Sequence, residues 1–165
     1  MTVVTENLNI ELENLASAKD ALQYSYEKCK TIKLHESLSY EELERFEALT
    51  SRFARLSDII IQKVLRLLDF IDLEDTGTVR DRINRAEKKG VILSADNFVE
   101  IRILRNEIAH EYRSETVHAI FEKVLAYAPV LLESVGTITN YAQKYFGDII
   151  PESDSKINES KYNGQ

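Results

Sequence analysis

The sequence predicts an all-α protein, and three observations carry that expectation. Only five glycines and two prolines stand among 165 residues, too few for the turns of a many-stranded sheet. Long stretches are rich in Leu, Glu, Lys, Ala and Arg, which lose little on entering a helix. Apolar side chains recur at spacings of three, four or seven, the period of one helix face, instead of alternating as in a half-buried strand. The length suits one domain able to bury a core. The expected architecture is an antiparallel four-helix bundle with an additional short helix, covering residues 1–150 and followed by a polar tail at 151–165.

Leu8, Leu12, Leu15, Leu22, Tyr26 and Cys29 mark a first helix from about Asn7 to Lys30. After a polar connection through His35 to Leu38, Ser39 with Glu42 three residues on forms a capping box and opens a second helix. Its stripe of Leu43, Phe46, Phe53, Leu56, Ile60, Val64, Leu67 and Ile71 carries it as far as Ile71. Ile59, Ile61, Leu65 and Leu68 join that stripe, so its second half is apolar around much of its circumference. Such a helix is either central in a bundle or shared with another subunit.

Asp72 to Gly77 is a turn-rich linker. Thr78 then caps a short basic helix that ends at Gly90, the position of a C-terminal cap. Ser94, with Asp96 and Asn97 behind it, starts a fourth helix running to about Tyr112 on the stripe Phe98, Ile101, Leu104 and Ile108. Ser114 caps a fifth helix along Val117, Ile120, Val124, Leu131, Val135, Ile138, Tyr141 and Tyr145, and Pro129 is expected to kink it. Beyond Pro151 only Ile157 and Tyr162 offer side chains to bury, so the tail is expected to be disordered.

The net charge of −7 argues against tight nonspecific binding to nucleic acid. The charge is polarised, however. Residues 78–113 hold eight basic side chains (Arg80, Arg82, Arg85, Lys88, Lys89, Arg102, Arg105, Arg113) against six acidic ones (Asp81, Glu87, Asp96, Glu100, Glu107, Glu111). A single Cys29 forms no internal disulfide and reads as a small packed hydrophobe, while His35 and His118 read as surface residues. No metal or cofactor is expected. Glu6, Asn7 and Asn9 stand where a signal peptide would be apolar. Asp58, Lys63, Arg66 and Asp69 interrupt the longest apolar stretch, so no membrane span is expected. A cytoplasmic, reduced protein without a membrane partner follows as the expectation.

One segment exceeds what helix packing needs: Arg105-Asn106-Glu107-Ile108-Ala109-His110-Glu111-Tyr112. On a helix Arg105, Ala109 and Tyr112 share one face, and Arg102, Asn106 and His110 form the neighbouring ridge. Arginine offers a fixed fork of donors to phosphate oxygens, histidine exchanges a proton near neutral pH, and asparagine can orient either. The plainer reading is a solvated helix end, with His110 meeting the helix dipole and Tyr112 covering the core. Spacing by itself leaves both open.

The segment fits the Arg-x4-His-x-Tyr pattern of HEPN-domain proteins. Over roughly residues 7–146 the chain most resembles their HepT branch, ribonuclease toxins paired with a minimal nucleotidyltransferase antitoxin in type VII-like toxin–antitoxin systems. The resemblance implies a metal-independent endoribonuclease acting on RNA, with tRNA the expected target, and a homodimer whose two motif copies face each other across a shared cleft. Arg105 would hold the scissile phosphate and His110 would serve as general base or acid. Asn106 would position both, and the 2′-hydroxyl would attack to leave a 2′,3′-cyclic phosphate. Tyr112 would be the residue that the partner transferase AMPylates, setting a negative phosphate beside Arg105 and His110 in competition with RNA.

Asp58 and Arg102 are further candidates for the cleft. Asp58 either orients Arg105 or His110, or lies on a solvated face or pairs with Arg55; the solvated reading is the expected one, since most charged helix residues stay exposed. The basic helix from Arg80 to Lys89 either guides RNA backbone or is an ordinary mixed-charge surface. Two other functions suit the same helices: a noncatalytic helical partner or substrate-binding subunit of a nucleotidyltransferase, and a purely structural dimerisation domain.

Overall fold

The computed structural model describes residues 2–110 and 114–147, and all regular structure among them is helical. Tyr112 and the expected tail lie outside the described residues. Helix α1 (Val3–Cys29) begins before the expected Asn7, because the Thr2 hydroxyl accepts a hydrogen bond from the Thr5 N–H and caps it. Helix α2 (Tyr40–Asp58) opens on the predicted capping box, with Glu42 N–H donating to Ser39 Oγ at 3.1 Å and Ser39 N–H donating to Glu42 Oε1 at 3.0 Å.

The long second helix differs from its sequence expectation. Past Asp58 it continues as a π-helical segment (Ile59–Val64) and then as α3 (Leu65–Ile71). Within the π segment the ladder widens, so that Leu65 N–H bonds Ile60 O. The Ile61 carbonyl also accepts from Arg82 Nη1 at 3.2 Å. Such widened turns reorient the side chains on either side of them and recur at functional sites.

Helix α4 (Val79–Lys89) lies between Thr78, whose hydroxyl and Asp81 complete a second capping box, and Gly90, which closes it at φ +80°. Helix α5 (Ala95–His110) starts where Asn97 N–H bonds Ser94 Oγ. Helix α6 (Ser114–Ala142) passes through Pro129 and runs into a short 3-10 turn (Gln143–Tyr145).

Helix α1 runs opposite to the second helix. Arg52 donates to Ser25 Oγ at 2.8 Å and to the Ala21 carbonyl near one end, while Asn7 and Glu11 face Gln62, Lys63 and Arg66 near the other. Helix α6 runs in the same direction as the second helix: Phe121 stacks on Phe46 at 4.6 Å, and Tyr145 reaches Asp72. Helix α5 packs against α2 and α6. Ile60, Ile61, Val64, Leu65 and Leu68 are therefore at most 2% exposed within one chain. Central placement accounts for these five residues, while Ile59 stays half-buried at the surface of the core. Cys29 is buried in the same core, and desolvation pushes its thiol up to about 11, as for a packed hydrophobe. Among the described residues no helix is long and apolar enough to cross a membrane.

Candidate functional site

The end of α2 and the π segment form one wall of a groove, and α5 forms the other. Its volume is about 720 Å³, and its lining includes Ser51, Arg55, Asp58, Gln62 and Lys63 from the first wall and Arg102, Arg105 and Asn106 from the second. Ala54, the half-buried Ile59 and the buried Ser57 and Ile61 complete it, small or apolar groups that let the polar side chains stand clear of the core. This size lies within the range that holds small ligands.

At the centre Arg105 meets Asp58. Nε donates to Oδ1 at 2.8 Å and Nη2 to Oδ2 at 2.9 Å, the fork-to-carboxylate geometry. Hydrogen bonding to Asp58 raises the Arg105 pKa further and outweighs the burial that opposes its charge. Asp58 is thus tied to α5, a correction to the solvated reading expected of it. The carboxylate uses the Nε and Nη2 edge of the guanidinium, and Nη1 takes no part in this pairing.

Of the residues singled out by sequence, Arg105, Asn106, Arg102 and Asp58 come together in this groove. His110, four residues beyond Asn106, is exposed at the last described position of α5 and is not part of the groove lining. Tyr112 falls outside the described residues. Glu107 receives Lys123 Nζ at 3.3 Å and links α5 to α6. Sequence reasoning missed Arg55, Gln62, Lys63 and Ser51. A signal was present: Ser51, Arg55, Asp58 and Gln62 recur at four, three and four residues, a polar face opposite the apolar stripe.

On the basic helix α4, Arg80, Asp81, Glu87 and Lys88 form an exposed face of mixed charge, while its other cations turn inward. Arg85 clamps the buried Asp69 through Nε at 3.2 Å and Nη2 at 2.8 Å. Lys89 Nζ reaches Asp69, Asp72 and Glu74 at 3.2, 2.7 and 2.9 Å, and Arg82 turns to Ile61 O. These three cations hold α4 against α3 and the π segment instead of facing a ligand. Tyr145 donates to Asp72 Oδ1 at 2.6 Å, which joins the end of the 3-10 turn to the same cluster. Burial works against the Lys89 ammonium, but the hydrogen bonds to Asp72, Glu74 and Asp69 outweigh it and hold its pKa above the ordinary value. Burial and the bond to Asp72 both raise Tyr145.

His35 and His118 are exposed, as expected. Among the described residues no group of three or more His, Cys, Asp or Glu side chains is arranged to hold a metal ion. No family model matches the chain, and no curated protein does either.

Proposed function

We propose that this chain is a HepT-like endoribonuclease, the toxin of a toxin–antitoxin pair, with its site at the C-terminal part of α5. The observation that carries the proposal is the guanidinium of Arg105, fixed on its Nε and Nη2 edge by Asp58, in a groove shared with Asn106 and Arg102. A fork held in advance pays less entropy when it grips a phosphate.

Arg105 binds the scissile phosphate. His110 takes the proton from the ribose 2′-hydroxyl, whose oxygen attacks phosphorus; the 5′-oxygen leaves with a proton returned to it, and a 2′,3′-cyclic phosphate remains. Asn106, one turn before His110, positions both groups. The reading includes an antiparallel four-helix bundle with α4 as its additional short helix, in keeping with the helix directions. It also includes a homodimer in which the exposed His110 of each copy meets a cleft closed by the other. Tyr112 is the AMPylation site of a cognate minimal nucleotidyltransferase, and tRNA is the substrate. The cytoplasm is the compartment where such RNA is met.

A second reading keeps the helices and drops the chemistry: a noncatalytic, substrate-binding partner of a nucleotidyltransferase. It is favoured by one observation, that His110 stands outside the groove lining while Arg105 already has a carboxylate partner. The two separate on purified chain incubated with end-labelled tRNA in EDTA. The ribonuclease leaves cyclic-phosphate ends, and His110→Ala abolishes them; no cleavage, or equal cleavage by the variant, removes the catalytic assignment. Intact mass after co-expression with a nucleotidyltransferase tests Tyr112, since added AMP should be absent from Tyr112→Phe.

A further inference from the structure

We infer that Arg55, Lys63 and Arg102 form a phosphate-binding subsite beside Arg105, which holds the backbone of single-stranded RNA next to the cut. This rests on the ribonuclease reading and adds to it the residues that carry the strand.

Charge is the first argument. The groove holds four cations and one carboxylate, and Asp58 is paired with Arg105. Arg55, Lys63 and Arg102 are exposed and make no ion pair among the described residues. Arg45 pairs with Glu41, Lys123 with Glu107, and Arg85 and Lys89 with the Asp69 cluster; Arg80 and Lys88 are also exposed without an ion pair among the described residues, but they do not line this groove. A chain of net charge −7 therefore concentrates three unpaired cations in one concave place, where converging fields attract an anion.

Reach is the second. Arg55 and Lys63 are eight residues apart along the continuous second helix, at most about 12 Å at an α-helical rise of about 1.5 Å per residue, since the widened π turns rise less. Phosphates in a strand repeat every 3.4 Å or so along the axis, and more widely when the strand is extended, so the row meets more than one of them. The lining has no aromatic side chain on which a base could stack, and it carries Ser51, Gln62 and Asn106, which suit phosphate and sugar oxygens. Such a subsite tolerates many sequences. On helix α4 Arg82, Arg85 and Lys89 are turned inward, which leaves Arg80 and Lys88 as its exposed cations, interleaved with the exposed Asp81 and Glu87.

The test is binding of a fluorescent single-stranded 2′-O-methyl oligoribonucleotide, which the 2′-hydroxyl chemistry cannot cut, to the full chain over a series of salt concentrations. The triple variant Arg55→Gln, Lys63→Gln, Arg102→Gln should bind at least about tenfold more weakly at ~0.1 M salt. Its slope of log K against log salt should fall by about 2, or roughly 0.7 for each lost contact. Circular dichroism checks that the variant is folded, and all three side chains are exposed. Arg80→Gln with Lys88→Gln removes exposed cations from α4 and should leave affinity and slope within about twofold.

An unchanged triple variant overturns the subsite. So does an equal loss in the α4 variant, or a wild-type chain that ignores the oligonucleotide. Cleavage measured on the same preparations separates the two claims. Groove-dependent binding without cleavage keeps the subsite and removes the ribonuclease, whereas cleavage with unimpaired binding by the triple variant removes the subsite alone.

Discussion

Asp58 and Arg105, 47 residues apart in the chain, meet through two parallel hydrogen bonds that join α2 to α5. Both side chains remain partly exposed, at 41% and 33%, so solvent screening leaves the pair worth little to stability. Its value lies in orientation: a carboxylate on Nε and Nη2 fixes the plane of the guanidinium and the direction of Nη1.

Asp58→Ala should therefore lower RNA cleavage about tenfold to a hundredfold through misplacement of Arg105. Its effect on unfolding should stay below about 1 kcal/mol. Single-turnover cleavage and urea unfolding read the two quantities. Unaltered cleavage would show that Asp58 plays no positioning part.

Arg105→Lys keeps the charge and loses the fork. Lysine presents a point charge that cannot hold a carboxylate bidentately and a phosphate at once. Cleavage should drop nearly as far as in Arg105→Ala, about a hundredfold or more, and cleavage by the lysine variant near the wild-type rate would contradict this account of the site.

Lys89→Met leaves Asp69, 3% exposed, with Arg85 alone, and leaves Asp72 with the Tyr145 hydroxyl but no cation. Breaking a buried ionic cluster from one side should cost about 2–4 kcal/mol in urea unfolding at neutral pH. A loss under about 0.5 kcal/mol would mean that the cluster does not secure α4.

The same cluster shapes the pH dependence of stability. Burial opposes the charge of Asp72, but hydrogen bonds from Lys89 and Tyr145 prevail and hold its carboxyl below the ordinary 3.8. A depressed carboxyl stabilises the fold at pH above its unfolded value, and that contribution disappears as pH falls through the folded one. Lys89 and Tyr145 are raised from 10.5 and 10.0, so their contribution is complete below those values and declines as pH rises beyond them. The cluster's contribution to urea-unfolding free energy should form a plateau between about pH 4 and 10, falling on both sides, and Lys89→Met should flatten the alkaline fall.

Gly90→Ala puts a Cβ on a residue at φ +80° that has open space around it. Backbone strain alone should then cost about 1–2 kcal/mol, measured as a lower urea midpoint with unchanged slope.

Much of the fold was legible along the chain, because helix periodicity and capping are local. Ser39 with Glu42, Thr78 with Asp81, and Gly90 each act within one turn, and the stripes of Phe46 to Leu68 and Phe98 to Leu104 became the core. The segment from Arg102 to Asn106 was also recognisable, since those side chains lie within a helical turn or so of each other. What only the tertiary structure decided is how charges pair across elements. Asp58 and Arg105, or Lys89 with Asp69 and Asp72, are far apart in sequence, and a helix pattern says which face a residue occupies without saying what comes to cover it. The π segment belongs to the same class, because an Arg82 donor from α4 reaches the Ile61 carbonyl within it. Periodicity reports neighbours along one axis, whereas an ion pair or a displaced backbone bond depends on where a second axis comes to rest.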